Sequence, residues 1–293
     1  MGRTARARPY LCGAVLARPL IVDSHVHPLS DDPERYRLAP GRGGEPDWYT
    51  NTHLTAEECL EQMALSGVDQ MVLVSSFTAY EYDNSYCADA AASHPDRFVG
   101  VCRIDPLAWG APDALGSWVE GRGMRGVRIG TADPRAYATC ARARQLGIPV
   151  AIQVSRGELI QVRQLAERLP DVQLILDHLA HPPVEDGPPY AEASEFFALA
   201  DCPNLNFKFS TLNIREAGQG RSTPRAFIET LVDRFGPRRL MWGSDFPHST
   251  GSPAAPYKEL VELAQMAVAF LSPADREQVL AGTARRLYPT LAA

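Results

Sequence analysis

Short apolar runs recur from one end of the chain to the other, and segments with helical periodicity separate them. Such runs, bounded by turn-forming residues, are typical of buried β-strands. The pattern predicts eight strands, at residues 20–23, 70–75, 97–103, 124–129, 149–154, 172–177, 205–210 and 240–244. Strand and helix alternate throughout, and this order favours parallel strands joined by crossover helices.

The segments between the strands carry the start and stop signals of helices. Thr55 and Glu58 have the spacing of a capping box, and Gly67 stands where that helix would end. Further signals of the same kind are Asp133 with Pro134 and Gly147, Ser155 with Glu158, Thr223 with Pro224 and Gly236, and Ser272 with Pro273 and Asp275. The last two helices are expected at residues 259–271 and 275–287.

An α/β pattern of eight strands in 293 residues is typical of a single-domain (β/α)8 TIM-like barrel. A doubly wound open sheet is the alternative. That fold often carries a glycine-rich turn after its first strand, whereas here the first strand runs into Asp23, Ser24 and His25. We expect residues 1–18 to be a mobile N-terminal tail, residues 19–293 to be the barrel, and residues 31–48 to be a lid-like insertion.

The composition is that of an ordinary globular protein, with 45% hydrophobic and 22% charged residues. A net charge of −6 disfavours binding to nucleic acid, which requires a basic surface. No apolar run approaches the roughly 20 residues of a membrane span. The six cysteines form no C-x-x-C pair, which favours a reducing compartment. We therefore expect a cytoplasmic protein that acts on a small molecule, with a targeting signal in residues 1–18 as the alternative.

Polar residues stand at the carboxyl end of every predicted strand. In strand order they are His25 and His27, Ser75 and Ser76, Arg103, Arg128, Gln153, Asp177 and His178, Lys208 with Ser210 and Thr211, and Asp245. Barrel enzymes build their active sites at this end. Because burying so many polar groups costs stability unless they are paired or used, the pattern indicates a functional site.

Four of these residues are candidates for catalysis. His25 and His27 stand two positions apart on an extended segment, so both imidazoles can face one metal ion or one carbonyl oxygen. His178 and Asp245 follow apolar strands, and a buried carboxylate must be a ligand, a base or half of an ion pair. The alternatives are hydrogen-bonded structural histidines and a structural carboxylate.

Three motifs carry a resemblance to a known family. They are Asp-Ser-His-Val-His at 23–27, Leu-Asp-His-Leu-Ala-His-Pro at 176–182 and Trp-Gly-Ser-Asp-Phe-Pro-His at 242–248, with similar segments at 126–128, 207–210 and 281–288. Together they resemble the amidohydrolase-related family of metal-dependent hydrolase barrels. Within it, the chain looks most like the lactonase branch that includes 2-pyrone-4,6-dicarboxylate lactonase and L-fuconolactonase.

The resemblance implies a catalytic set of His25, His27, His178 and Asp245, which would also be the ligands of one divalent ion, zinc or manganese. Many members have a further histidine on strand five, where this chain has Gln153. Arg128 stands where a binuclear centre would have a carbamylated lysine, and the branch includes members without a metal requirement. The segment Ala180-His181-Pro182 replaces the usual Gly-Lys-Pro, and Thr283 replaces a common asparagine, so the substrate is left open.

The leading hypothesis is hydrolysis of a cyclic ester that bears a carboxylate. Asp245 would take a proton from the attacking water, and the histidines would polarise the carbonyl oxygen directly or through one metal ion. Candidate substrate-binding residues are Arg103 and Arg128 for the carboxylate, and Gln153, Lys208, His181, His248, Ser76 and Tyr49. Lys208 is equally well explained as the partner of a buried carboxylate. The alternatives are a non-oxidative decarboxylase and a barrel that binds a small ligand without turning it over.

Overall fold

The computed structural model describes residues 18–40, 49, 52–247 and 255–292. The expected tail lies outside these ranges except for Arg18, as do residues 41–48 of the expected insertion and the candidate His248.

Eight parallel strands form one sheet in which neighbours in sequence are neighbours in space, in the order β1 to β8. Their bounds are Val22–Val26 (β1), Gln70–Val74 (β2), Phe98–Arg103 (β3), Gly126–Ile129 (β4), Val150–Ile152 (β5), Leu174–Leu176 (β6), Leu205–Ser210 (β7) and Leu240–Gly243 (β8). Helices alternate with the strands, and the predicted single-domain (β/α)8 barrel is confirmed.

Every predicted strand is present, and the differences lie at the ends. β1 runs to Val26 rather than to residue 23, so His25 is inside the strand. β5 and β6 are three residues long, so Gln153 and Asp177 come directly after their strands.

Several of the α-helices begin at a residue whose side chain caps the helix. The bounds of the α-helices are Ala56–Ser66 (α1), Phe77–Tyr80 (α2), Ser85–Ser93 (α3), Ala111–Gly116 (α4), Tyr137–Gln145 (α5), Leu159–Arg168 (α6), Ser194–Phe197 (α7), Thr211–Glu216 (α8), Pro224–Phe235 (α9), Tyr257–Ala267 (α10), Pro273–Glu277 (α11) and Thr283–Leu287 (α12). The helices α1, α2, α9 and α11 are among those capped by a side chain. The capping box of Thr55 and Glu58 is formed, and Gly67 ends α1 in the left-handed conformation. The predicted final helix is instead two α-helices joined by a π-helical segment, Gln278–Gly282. None of the described helices combines the length and the apolar character needed to cross a lipid bilayer.

Alternation along the strands separates two apolar layers. In β3, Val99 and Val101 belong to a cluster inside the barrel, while Phe98 and Cys102 belong to the larger cluster between strands and helices. Because side chains alternate along a strand, Arg103 continues the inward series. The same period directs Arg128 of β4 and Lys208 of β7 inward, because their strand neighbours Val127, Ile129, Phe207 and Phe209 belong to the larger cluster.

β1 and β8 close the barrel through a bridge between Val26 and Phe246 rather than through a continuous ladder. The backbone N–H of Asp245 donates to the carbonyl of His25 at 2.9 Å, and that of His27 donates to the carbonyl of Phe246 at 2.8 Å. A Cβ added at Gly243 would lie 2.6 Å from the Cβ of His25. Closure therefore fixes the first-strand histidines against the loop that carries Asp245.

Asp23 strengthens this closure from inside the protein. Its carboxylate accepts hydrogen bonds from the backbone N–H of Ser244 at 2.8 Å and from the hydroxyl of Tyr257 at 2.8 Å. Burial raises the pKa of Asp23 to about 6. Sequence reasoning quoted Asp23 within a motif but gave it no role.

Candidate active site

A cavity of about 140 Å³ opens at the carboxyl end of the strands. Its lining residues are His27, Ser76, Phe77, Thr78, Arg128, Gln153, His178, His181, Leu212 and Asp245. Seven of the expected site residues are in this set. Phe77, Thr78 and Leu212 were not expected, since no spacing or motif marks them.

Asp245 lies at the centre of the site. Its Oδ1 is 3.3 Å from Nε2 of His27, 3.5 Å from Nε2 of His25 and 3.9 Å from Nε2 of His178. Burial would raise the pKa of this carboxyl, but the charged and polar side chains around it, Arg128 among them, more than offset the effect and hold the pKa below its usual value. Asp245 is therefore an ionised acceptor at neutral pH. Its φ of 63° is in the left-handed region, so the surrounding structure holds it in a strained conformation.

His27 and His25 differ in exposure although they are neighbours. The Nδ1–H of His27 donates to the carbonyl of Val74 at 2.8 Å, and the ring lines the cavity. His25 is fully buried behind it, with its Nε2 3.2 Å from Nε2 of His27. Direct contact of His25 with a substrate carbonyl, one of the expectations from sequence, does not fit this placement, because the ring is sealed from the cavity.

His178 is presented by an unusual turn after β6. Four consecutive residues, His178 to His181, have φ between 52° and 58°, which is left-handed backbone at residues other than glycine. The side-chain amide of Asn213, at the start of α8, donates to the carbonyl of His178 at 3.1 Å. This turn aims His178 at the cavity, where its Nε2 is 3.3 Å from a guanidinium nitrogen of Arg128. Burial lowers the pKa of His178 to about 4, so the ring is neutral at pH 7.

Behind the cavity lies a buried ion cluster. Asp177 contacts Nε of Arg128 at 2.7 Å and Nζ of Lys208 at 3.0 Å, and the side chains of Asp177 and Lys208 are at most 1% exposed. Burial would raise the pKa of Asp177, but the two cations hold it well below its usual value. The sequence analysis named Asp177 at the end of the sixth strand but gave it no role, although a carboxylate directly after an apolar strand needs a charged partner.

Two arginines stand side by side, because Arg103 and Arg128 are register partners in β3 and β4. Arg128 is paired with Asp177, whereas among the described residues no carboxylate lies within ion-pair distance of Arg103. The Arg103 guanidinium donates to Oε1 of Gln153 at 2.7 Å and lies over the ring of Phe77, and its Nε is buried without a partner. Burial and the nearby Arg128 lower the pKa of Arg103 to about 9, which still leaves it charged at pH 7.

The remaining candidates take different places. Ser76 lines the cavity and caps α2. His181 lies at the rim, stacked on His178 with ring centres 5.7 Å apart and 3.7 Å from Glu216. Tyr49 is buried in the core outside the cavity lining, so substrate contact there does not fit its position. Lys208 is also outside the lining. Of the two interpretations offered for it, substrate binding and pairing with a buried carboxylate, its contact with Asp177 fits the second.

The site is compact enough for one divalent ion, since ligand atoms of His25, His178 and Asp245 lie within 4.8 Å of one another. The hydrogen bonds do not suit an ion, however. An imidazole that binds a metal normally donates its other N–H to an acceptor. Nδ1 of His25 faces the ammonium of Lys208 at 3.1 Å, which is a donor, and Nε2 of His178 faces a guanidinium donor. The donor set therefore does not fit a metal held by these imidazoles.

Comparison with known proteins places the chain among barrel enzymes. The sequence model of the family described as Amidohydrolase matches residues 22–290. An L-fucono-1,5-lactonase from Burkholderia ambifaria is 29% identical over 239 residues, which are 77% of this chain and 82% of the relative.

Two solved structures show the same fold. A probable 2-pyrone-4,6-dicarboxylic acid hydrolase from Acinetobacter baumannii, with citric acid bound, has a TM-score of 0.71 at 17% identity and covers 92% of this chain and 99% of that one. A dihydroxybenzoic acid decarboxylase from Polaromonas, with bound manganese and an inhibitor, has a TM-score of 0.64 at 14% identity, over 92% and 97% of the two chains. At these identities the likeness concerns the barrel alone.

The left-handed turn predicts an unusual response to glycine. Ala180 has φ of 55° and is 1% exposed, while Ala143 lies within α5 and is fully buried. Both Ala→Gly substitutions remove one buried methyl group, but only Ala180→Gly relieves left-handed strain, worth about 1–2 kcal/mol. Chemical denaturation should show that Ala180→Gly costs at least about 1 kcal/mol less than Ala143→Gly. Equal losses would contradict the strain.

The depressed imidazole pKa values predict how stability depends on pH. In the unfolded chain His25 and His178 bind protons near pH 6.5, but in the folded chain the pKa of His25 is well below that value and the pKa of His178 is about 4. The unfolded state therefore binds more protons, and the free energy of unfolding should fall as pH drops from 6.5 to 4. Asp23, with its raised pKa, acts in the opposite sense between pH 4 and 6, so two imidazoles against one carboxyl leave a net fall.

Denaturant titrations at several pH values check this result. The variant His178→Gln removes one of the two imidazoles, so its stability should change less between pH 6.5 and 4 than that of the unmodified protein. An identical pH profile in the two proteins would show that His178 titrates normally in the folded state.

Proposed function

Because the chain belongs to the amidohydrolase family, whose sequence model covers residues 22–290, we propose that it is a lactonase that opens the ring of a carboxylate-bearing cyclic ester. The family match confirms the resemblance carried by the three motifs, and membership of this family makes the chain a hydrolase. The similar L-fucono-1,5-lactonase and pyrone dicarboxylic acid hydrolase support an ester bond within a ring. The observation that carries the proposal is the ionised Asp245 carboxylate, held in a polar cavity against three imidazoles.

Asp245 is the general base of the proposed reaction. Its carboxylate takes a proton from a water molecule while the water oxygen attacks the ester carbon. The carbonyl electron pair moves onto oxygen, and the tetrahedral intermediate then collapses with cleavage of the ring C–O bond. The departing alkoxide takes the proton back from Asp245, so water and lactone give an open-chain hydroxy acid and the base is regenerated.

Arg128 stabilises the developing oxyanion. Asp177 and His178 take two of its five guanidinium N–H groups, and the others can donate to a substrate oxygen in the cavity that Arg128 lines. Such a preorganised donor is worth about 3 kcal/mol in the transition state. A fixed cation at this point supplies the polarisation that a metal ion provides in other hydrolases.

Arg103 binds the carboxylate of the substrate. A buried guanidinium without an anionic partner is costly, and a bound carboxylate would supply that partner through two parallel hydrogen bonds. Arg103 itself is outside the cavity lining, but Phe77 and Gln153, which contact it, both line the cavity, so its guanidinium lies directly behind the wall that a substrate carboxylate would approach.

Two other functions receive less support. Decarboxylation on the same barrel would draw on a fuller metal site, but Gln153 stands at the strand-five position and its amide oxygen is taken by Arg103. A barrel that only binds a ligand has no use for a strained carboxylate at the bottom of the cavity, where Asp245 has φ of 63°.

Removal of the base tests the reaction. Asp245→Asn keeps the size of the side chain but cannot accept a proton, so kcat on lactones should fall by at least about a hundredfold. Asp113→Asn, on the exposed surface of α4, is the matched control and should keep full activity. Near-normal turnover by Asp245→Asn, in protein with an unchanged circular dichroism spectrum, would remove Asp245 from the mechanism.

The carboxylate specificity has its own test. Arg103→Leu should raise KM for carboxylated lactones by roughly 10-fold to 100-fold, as expected for losing a hydrogen bond to a charged group, and should leave KM for neutral lactones nearly unchanged. Thermal stability should not drop, because the variant loses an unpaired buried cation. Arg135→Leu, at an exposed position, serves as the control. An equal rise in KM for both substrate classes would contradict the assignment.

A further inference from the structure

A continuous chain of polar contacts runs from the ion cluster to the cavity. Asp177 contacts Nζ of Lys208 at 3.0 Å, and Nζ of Lys208 contacts Nδ1 of His25 at 3.1 Å. Nε2 of His25 then contacts Nε2 of His27 at 3.2 Å, and Nδ1 of His27 contacts the carbonyl of Val74 at 2.8 Å.

The two ends of this chain fix the direction of every hydrogen bond in it. An ammonium can only donate, so Nδ1 of His25 accepts and its Nε2 carries the hydrogen. A backbone carbonyl can only accept, so Nδ1 of His27 carries a hydrogen. The Nε2–H of His25 then donates to Nε2 of His27, and Oδ1 of Asp245 lies 3.5 Å from the same His25 nitrogen. A doubly protonated His27 would set two N–H groups against each other.

The resulting tautomers occupy the nitrogen atoms that a metal ion would need. Nε2 of His25 bears a hydrogen, and the lone pair of Nε2 on His27 is taken by that hydrogen. The Nε2 lone pair of His178 faces the guanidinium of Arg128 at 3.3 Å.

We propose that Lys208 is a positioning residue that, by donating to Nδ1 of His25, sets the tautomers of His25 and His27 and so keeps divalent metal ions out of the site. The charge on Lys208 is supported by Asp177: burial lowers the pKa of the ammonium, and the carboxylate beside it opposes that shift. Lys208 acts on the reaction through His25, whose Nε2–H faces Nε2 of His27 and lies 3.5 Å from Oδ1 of the base Asp245. That consequence for turnover rests on the proposed function, whereas the tautomer and the metal exclusion do not.

The placement of Lys208 fits a dedicated role. Its side chain is buried next to a buried carboxylate, and replacing such an ion pair with apolar residues is often neutral or stabilising. The pair is therefore not needed for stability alone. Its ammonium is within hydrogen-bond distance of the one His25 nitrogen that decides whether that ring can donate or ligate.

The first experiment reads the tautomer directly in the unmodified protein. Nitrogen-15 NMR of histidine-labelled protein in chelator-treated buffer distinguishes protonated from unprotonated ring nitrogens, and the signals of His25 are identified by their loss in His25→Gln. We expect His25 to be protonated on Nε2 and His27 on Nδ1. A His25 protonated on Nδ1 overturns the proposal, and this result does not depend on whether any lactone is turned over.

The second experiment measures zinc binding by calorimetry. In Lys208→Gln the amide oxygen can accept from Nδ1–H of His25, which frees Nε2 for a metal, and zinc should bind roughly tenfold tighter or more than in the unmodified protein. Lys258→Gln, the same substitution at the exposed lysine of α10, should bind zinc as the unmodified protein does. Unmodified protein that keeps one equivalent of zinc through chelator, or equal affinity in Lys208→Gln, contradicts the proposal. If Lys208→Gln does not fold, the tautomer measurement decides alone.

Discussion

The site depends on one buried carboxylate. Asp177 follows β6 and pairs with both Arg128 from β4 and Lys208 from β7, so three strands of the barrel meet in one ion cluster. Breaking such a cluster by removing one partner costs about 3–5 kcal/mol, because it leaves an uncompensated buried charge. Each cation in turn holds a histidine, Arg128 holding His178 and Lys208 holding His25. Both imidazoles are therefore in contact with the ion cluster, in addition to being positioned by the backbone that carries them.

The barrel also stores backbone strain at the two places where the chemistry is proposed. His178 begins a run of four left-handed residues, and Asp245 is left-handed as well. Left-handed backbone at a non-glycine residue costs about 1–2 kcal/mol of stability per residue. The strain persists because Asn213 holds the carbonyl of His178 and because the backbone of Asp245 is bonded to His25 across the β1–β8 closure. The large, well-packed core offsets the cost of this strained backbone. The strained conformations direct the side chains of His178 and Asp245 toward the same cavity.

Local patterning accounts for what the sequence predicts well. The eight strands and the residues at their ends follow from short apolar runs and from helix caps, both of which are read within a few residues. Lys208 and His25 are 183 positions apart, and no local rule shows that they touch. The arginines 103 and 128 look alike in sequence, and only the position of Asp177 makes one paired and the other free to bind an anion. The left-handed turn after β6 contradicts the preference of Ala and Leu, so propensity could not have predicted it.

Two features of the sequence disfavour a metal ion in this site. Gln153 stands at the strand-five position, and Lys208 donates to His25. A metal ion concentrates positive charge at a carbonyl oxygen, but it demands lone pairs from its ligands. In the proposed mechanism the positive charge comes from the guanidinium of Arg128, and the lone pairs of the imidazoles accept hydrogen bonds instead. The amide oxygen of Gln153 accepts a hydrogen bond from Arg103, whose guanidinium is a second positive charge near the cavity. A cavity lined by Arg128 and one carboxylate on left-handed backbone, with Arg103 directly behind its wall, suits a small anionic ester, and the two arginines disfavour the binding of an added cation.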